Sequence, residues 1–181
     1  IPKLTRDLSK RLIYCILYGG GAKKTGSIML PKDSEHKQYE RGKETIETFY
    51  RNLPAIKQLK DKVEATLNQR DYLIGIDGRR LQIRSKHSAL NQLLQSTGAI
   101  SVKKATTILY DDMTNKGLKF YKDWGFVAHV HDEYQCLLRP QYTDLFKKLA
   151  IDSFRKSGEY FSLKCPLTGE AKIGKNWCET H

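Results

Sequence analysis

The sequence predicts an α+β chain, with helices first and a helix-backed antiparallel sheet after them. Three observations carry that prediction. Apolar residues recur at three- and four-residue spacing through most of residues 5–67, two short runs flank Asp77-Gly78, and a long helical stretch precedes two short apolar runs around His131-Asp132-Glu133.

Each element follows from its residues. From Thr5 to Tyr18, Leu8, Leu12, Ile13, Ile16 and Leu17 make one helical face, and Gly19-Gly20-Gly21 stops it. Ala22 to Leu30 predicts a short second helix, Pro31-Lys32-Asp33-Ser34 a turn, and Glu35 to about Asn52 a third helix. Pro54 suits the first turn of a fourth, with Ile56, Leu59, Val63 and Leu67 down one side. Tyr72 to Ile76 and Leu81 to Arg84 then form a hairpin about Asp77-Gly78. A long helix from about Ser88 to Lys116 carries Leu90, Leu93, Leu94, Ile100, Val102, Ile108 and Leu109, and Gly117 suits its C-terminal cap. Phe126 to Val130 and Tyr134 to Leu138 read as strands. A helix from Tyr142 to about Lys156 and a last short strand near Phe161 to Lys164 complete the chain. The sequence shows no internal repeat and no low-complexity linker.

Composition sets outer bounds. A length of 181 residues fits one ordinary domain or two small ones, and 39% hydrophobic with 10% aromatic residues excludes a disordered basic tail. No apolar run approaches the roughly 18 residues of a membrane span. Ile1-Pro2-Lys3-Leu4 has no signal-peptide core and no initiator Met, so a cytoplasmic chain that is a piece of something longer is expected. Cys15, Cys136, Cys165 and Cys178 form no CxxC pair, which favours reduced thiols over a disulfide scaffold. Cys165, Cys178 and His181 match no closed tetrahedral zinc pattern, so no metal is expected there.

The 32 Lys and Arg against 20 Asp and Glu give a net charge of +12. Residues 1–90 hold 19 cationic and 10 acidic side chains, net +9, while residues 91–181 hold 13 and 10, net +3. That asymmetry is the footprint of a surface that meets phosphates, although a basic surface with no partner has the same arithmetic.

Three constellations bear chemistry. Arg6, Lys10, Tyr14 and Tyr18 follow one another at i, i+4 along the first helix. Cations one turn apart can follow a polyphosphate and the rings can stack on a base or bound a sugar; a solvated polar edge is the alternative. His87, Asn91 and Gln95 repeat the spacing at the start of the long helix. They suit a nucleic-acid minor groove, where every base pair presents acceptors, or plain surface polarity. His131-Asp132-Glu133 puts adjacent carboxylates at a hairpin tip, a natural start for a magnesium site. One such pair is not a two-metal site, and Asp111-Asp112, Asp33 and Glu35 supply no second cluster.

In this order and separation, Arg6-Asp7, Lys10, Tyr14 and Tyr18-Gly19, then Gln95-Ser96-Thr97-Gly98, then Val130-His131-Asp132-Glu133 resemble the C-terminal part of family A, polymerase I-type DNA polymerases, most of all podovirus replicative enzymes. Asp77-Gly78-Arg79-Arg80, His87-Ser88-Ala89-Leu90-Asn91 and the ending from Ala171 through Trp177 to His181 add to it. The resemblance covers nearly the whole chain. It implies helical fingers over residues 1–70 and the second half of a palm over residues 71–181. Arg6 and Lys10 then grip the incoming triphosphate and assist catalysis, Tyr14 packs on the nucleotide sugar, and Tyr18 stacks near the templating base. A Tyr at position 14 implies weaker rejection of dideoxynucleotides than a Phe would give. His87, Asn91 and Gln95 touch the primer-template minor groove, and Arg80 or Arg84 neutralises backbone phosphates. His131 lies next to the primer terminus, Asp132 is the metal-binding catalytic carboxylate and Glu133 its supporting carboxylate.

The resemblance also implies Mg²⁺ in the complete enzyme and primer-template DNA, dNTPs and the remaining polymerase (first half of the palm, thumb) as partners, within a host cell for a viral or prophage enzyme. A processivity factor is left open. Two departures stand out. Relatives commonly carry Gly where this chain has Cys15, which should crowd the backbone. The family's first catalytic strand, with its metal-binding Asp, is missing, so the 181 residues are not expected to polymerise alone. A stand-alone nucleic-acid-binding module descended from a polymerase is the competing reading.

Overall fold

The structure is a computed structural model that describes residues 5–180. The signal-peptide reading of Ile1–Leu4 and His181 as a zinc ligand lie outside the described residues. The chain forms two compact units, residues 1–95 and 96–181.

In the first unit, α1 spans Arg6–Leu17 and is capped by Thr5, whose Oγ1 accepts the Leu8 N–H at 3.2 Å, with Asp7 favourably placed in the first turn. α2 (Ala22–Met29), α3 (Glu35–Asn52) and α4 (Pro54–Leu67, with Pro54 in its first turn) follow at the expected places. α2 and α3 touch backbone to backbone. A β-carbon on Gly26 would overlap the Gln38 carbonyl, and one on Gly42 the Ala22 carbonyl. The Gln38 amide closes the corner by donating to the Leu30 and Asp33 carbonyls at 2.9 and 3.1 Å.

β1 (Tyr72–Ile74) pairs antiparallel with β2 (Arg80–Gln82). The strands are shorter than expected because residues 75–79 all enter the loop. There the Asp77 carboxylate accepts the backbone and guanidinium N–H groups of Arg79 at 3.3 and 2.6 Å. Burial, the largest single influence, pushes the Asp77 carboxyl up, but these bonds and the Arg79 charge together outweigh it and hold the group below its usual range. Val63, Leu67, Leu73 and Ala89 form the core of this unit, with Leu81, Ile83 and Leu93 against it.

α5 (Ala89–Asn115) follows a single 3₁₀ turn at Lys86–Ser88 and contains the boundary between the units. It stops as the sequence predicts. Gly117 sits at φ +82°, its N–H donates to Thr114, and the Leu118 N–H reaches back to Met113 at 3.2 Å. In the second unit β3 (Trp124–Val130) and β4 (Glu133–Leu138) form an antiparallel hairpin with a bulge at Phe126/Ala128. α6 (Thr143–Tyr160) and the short α7 (Trp177–Thr180) complete the chain. Leu109, Met113, Leu118, Ala150 and Trp124, the last only 2% exposed, make the second core.

The α+β expectation holds, as two small antiparallel sheets among helices. The strand expected at Phe161–Lys164 is not there. α6 runs four residues past Lys156, held where the buried Ser157 hydroxyl donates to the Ser101 carbonyl at 2.7 Å. Its end then consumes the N–H groups a strand would need: Ser162 donates to Glu159 and Leu163 to Gly158, with Ser162 at φ +53°. This is the same C-terminal motif as at Gly117, built on a Ser that gives no warning in sequence. No described helix is long and apolar enough to cross a membrane.

Candidate functional site

The α1 stripe forms a connected array. Lys10 Nζ lies 5.9 Å from the Tyr14 ring centre, and the Tyr14 and Tyr18 rings are 5.4 Å apart at 32°. The two tyrosines remain 45% and 38% exposed, and Arg6 and Lys10 are exposed, so the edge is open to a ligand. The Tyr18 hydroxyl accepts the Gln95 Nε2–H at 2.6 Å across 77 residues. Gly19, at φ +81°, follows immediately, and a β-carbon there would stand 2.5 Å from the His87 carbonyl and 3.2 Å from its Nε2. The two helical stripes that the sequence presents separately therefore meet at Tyr18-Gly19. Asn91, between His87 and Gln95 on the second stripe, has its Oδ1 buried with no hydrogen-bond partner among the described residues.

Cys15 packs beside Gly20, which has no side chain to meet it. The Cys15 Sγ lies 3.7 Å from Thr25 Oγ1, and a β-carbon on Gly20 would overlap the sulfur.

On the first hairpin, Arg80 is exposed and its guanidinium lies 4.8 Å from the Tyr72 ring centre, with Arg70 at 4.7 Å from the same ring. Arg84, also exposed, follows β2. Sequence reasoning missed Arg70 and Tyr72. The available signal was the hairpin register, in which Tyr72 pairs with Gln82 and so stands diagonal to Arg80.

His131, Asp132 and Glu133 belong to the second unit. Val130 pairs with Glu133, which leaves His131-Asp132 as a two-residue loop. His131 takes φ +54°, a left-handed conformation uncommon outside glycine. Asp132 is exposed at the tip, while Glu133 starts β4 and its Oε1 accepts from Gln135 Nε2 at 3.3 Å. Behind the tip, burial pushes the Tyr134 phenol and the Cys136 thiol each up to about 12. Cys136 is thus a protonated filler at neutral pH rather than a nucleophile. Carboxylate oxygens at an open tip are the donors Mg²⁺ prefers, and a fully dressed site needs more than these two. Among the described residues no group of three His, Cys, Asp or Glu side chains could hold a metal. Asp132 with Glu133 therefore fits one corner of a divalent-cation site.

Comparison with known proteins identifies the family. The family model described as DNA polymerase family A matches residues 1–179. The chain is 35% identical over 98% of its length to a DNA-directed DNA polymerase of Enterobacteria phage T3, and 34% identical over 98% to that of Escherichia phage T7. It covers 27% of each of those relatives, so it spans about a quarter of their length. Among solved structures, the polymerase domain of Pol1 from M. smegmatis, in complex with DNA primer-template and dNTP, superposes with a TM-score of 0.71 at 19% identity, over 84% of this chain and 27% of that one. At that identity it speaks for the fold. The chain belongs to DNA polymerase family A.

Proposed function

We propose that the chain supplies the nucleotide grip and one corner of the metal site for template-directed DNA synthesis, with residues 1–70 acting as fingers and 71–181 as part of the palm. In that reaction the primer 3′ oxygen bonds to the α-phosphorus of a dNTP, the bond from that phosphorus to the β-phosphate oxygen breaks, and pyrophosphate leaves. The observation that carries the reading is the array running from Lys10 over Tyr14 and Tyr18 to Gln95. It sets a cation, two open rings and a polar stripe in the order that triphosphate, sugar, templating base and duplex groove require.

Each side chain then has a task. Arg6 and Lys10 offset triphosphate charge, including the charge that grows on the departing pyrophosphate. Tyr14 bounds the sugar and Tyr18 closes the templating position. His87, Asn91 and Gln95 read groove acceptors without regard to sequence, and Arg80 and Arg84 meet backbone phosphates. His131 abuts the primer terminus. Asp132 would hold a magnesium ion with Glu133 in support. When bound, magnesium makes the 3′ hydroxyl a better nucleophile and neutralises the leaving group.

The full-length protein, given primed template, dNTPs and Mg²⁺, is expected to extend the primer as the template dictates, whereas the 181 residues alone bind duplex without extending it. Duplex binding without extension by the full-length protein would establish instead a nucleic-acid-binding module derived from a polymerase.

A further inference from the structure

The loop between α5 and β3 lies outside every motif used above, yet its backbone is pinned as firmly as a functional loop. Lys119 N–H donates to the Asp123 carboxylate at 2.9 Å, Asp123 N–H returns to the Lys119 carbonyl at 2.8 Å, and Tyr121 N–H donates to the Trp124 carbonyl at 2.7 Å. From the end of β4, Arg139 clamps the loop: its Nε donates to the Lys122 carbonyl at 3.1 Å and its guanidinium lies 3.6 Å from Asp123. This bracing holds Tyr121 at φ +60°, a conformation that costs a non-glycine residue of order 1 kcal/mol. What it displays is Tyr121, a residue 83% exposed whose ring is backed by Phe120 at 4.1 Å between centres.

The ring stands in a basic setting. Lys116, Lys119 and Lys122 are exposed in the same stretch. Asp123, its single acidic residue, is engaged by Arg139 and the Lys119 N–H. A planar exposed ring among uncompensated cations suits a ligand with alternating bases and phosphates. An acidic peptide would use the lysines and leave the ring unemployed. We propose that the Lys116–Lys122 loop is a second nucleic-acid contact, on which Tyr121 stacks a base of single-stranded DNA while Lys116, Lys119 and Lys122 meet its phosphates.

The test uses the full-length protein and an oligo-dT strand carrying 5-iodouracil, cross-linked by light and mapped by mass spectrometry, together with direct binding titrations. A cross-link at Tyr121 is expected. Tyr121→Ala should weaken oligo-dT binding roughly 5- to 100-fold and Tyr121→Phe should restore it. Lys119→Glu with Lys122→Glu should lower the salt dependence of binding. Cross-links confined to α1 and α5, or oligo-dT affinity unchanged within two-fold in Tyr121→Ala, would overturn the proposal. So would a poly-glutamate peptide that competes better than the oligonucleotide. Primer extension on short templates is a separate readout, so this loop can fail while the polymerase reading stands.

Discussion

Helix α1 and the β3–β4 hairpin place their candidate residues by opposite means. On α1 the backbone is regular, and the placement comes from side chains one turn apart that touch one another and then Gln95. At the hairpin the side chains are few, and the placement comes from backbone geometry, with His131 turned left-handed so that Asp132 stands clear at the tip. A long, adaptable grip suits a flexible triphosphate, while one carboxylate at a fixed point suits a metal ion. On the proposed reading, binding is spread over many contacts in the first unit and chemistry is concentrated in the second.

Changes on the two sides should therefore differ in kind. The largest effect on the grip is expected from Lys10→Ala, which should lower kcat/KM for dNTP by roughly 100-fold in single-nucleotide incorporation while leaving duplex affinity within two-fold. Next in size, Gly42→Ala drives a β-carbon into the Ala22 carbonyl and should destabilise the first unit by roughly 2–3 kcal/mol. Hydrogen exchange should then accelerate in α2 and α3 and stay unchanged in β3 and β4.

Smaller still is the Tyr18–Gln95 bond. A double-mutant cycle of Tyr18→Phe with Gln95→Ala, read by denaturant unfolding, should give a coupling of about 0.5–1 kcal/mol. The last effect concerns the hairpin and is absent at neutral pH. Burial raises the Cys136 thiol from its ordinary 9.0 to about 12 in the folded state. Its contribution is fully present below pH 9 and is lost as the pH rises toward about 12, because the unfolded chain ionises first. Cys136→Ala should flatten that alkaline decline, as measured by thermal unfolding across the same range.

The same contrast explains what could be read from residues alone. Helical stripes announce themselves by spacing, so α1 to α5 and the positions Arg6, Lys10, Tyr14 and Tyr18 were legible. The union of Tyr18 with Gln95 was not, because nothing local ties residues 77 apart in sequence. Gly117 marked the end of α5, whereas Ser162 ends α6 by the same backbone motif without the residue that advertises it, and a strand was expected in its place. The tip was legible as a turn with two carboxylates. The left-handed His131 and the braced Tyr121 were hidden, since residues other than glycine take that conformation uncommonly.

The central claim, that Asp132 serves chemistry rather than binding, is tested most directly by single-turnover incorporation with Asp132→Asn in the full-length enzyme alongside a duplex titration. The account predicts a rate at least roughly 1,000-fold lower with duplex affinity within two-fold; a rate within ten-fold of the parent enzyme would contradict it.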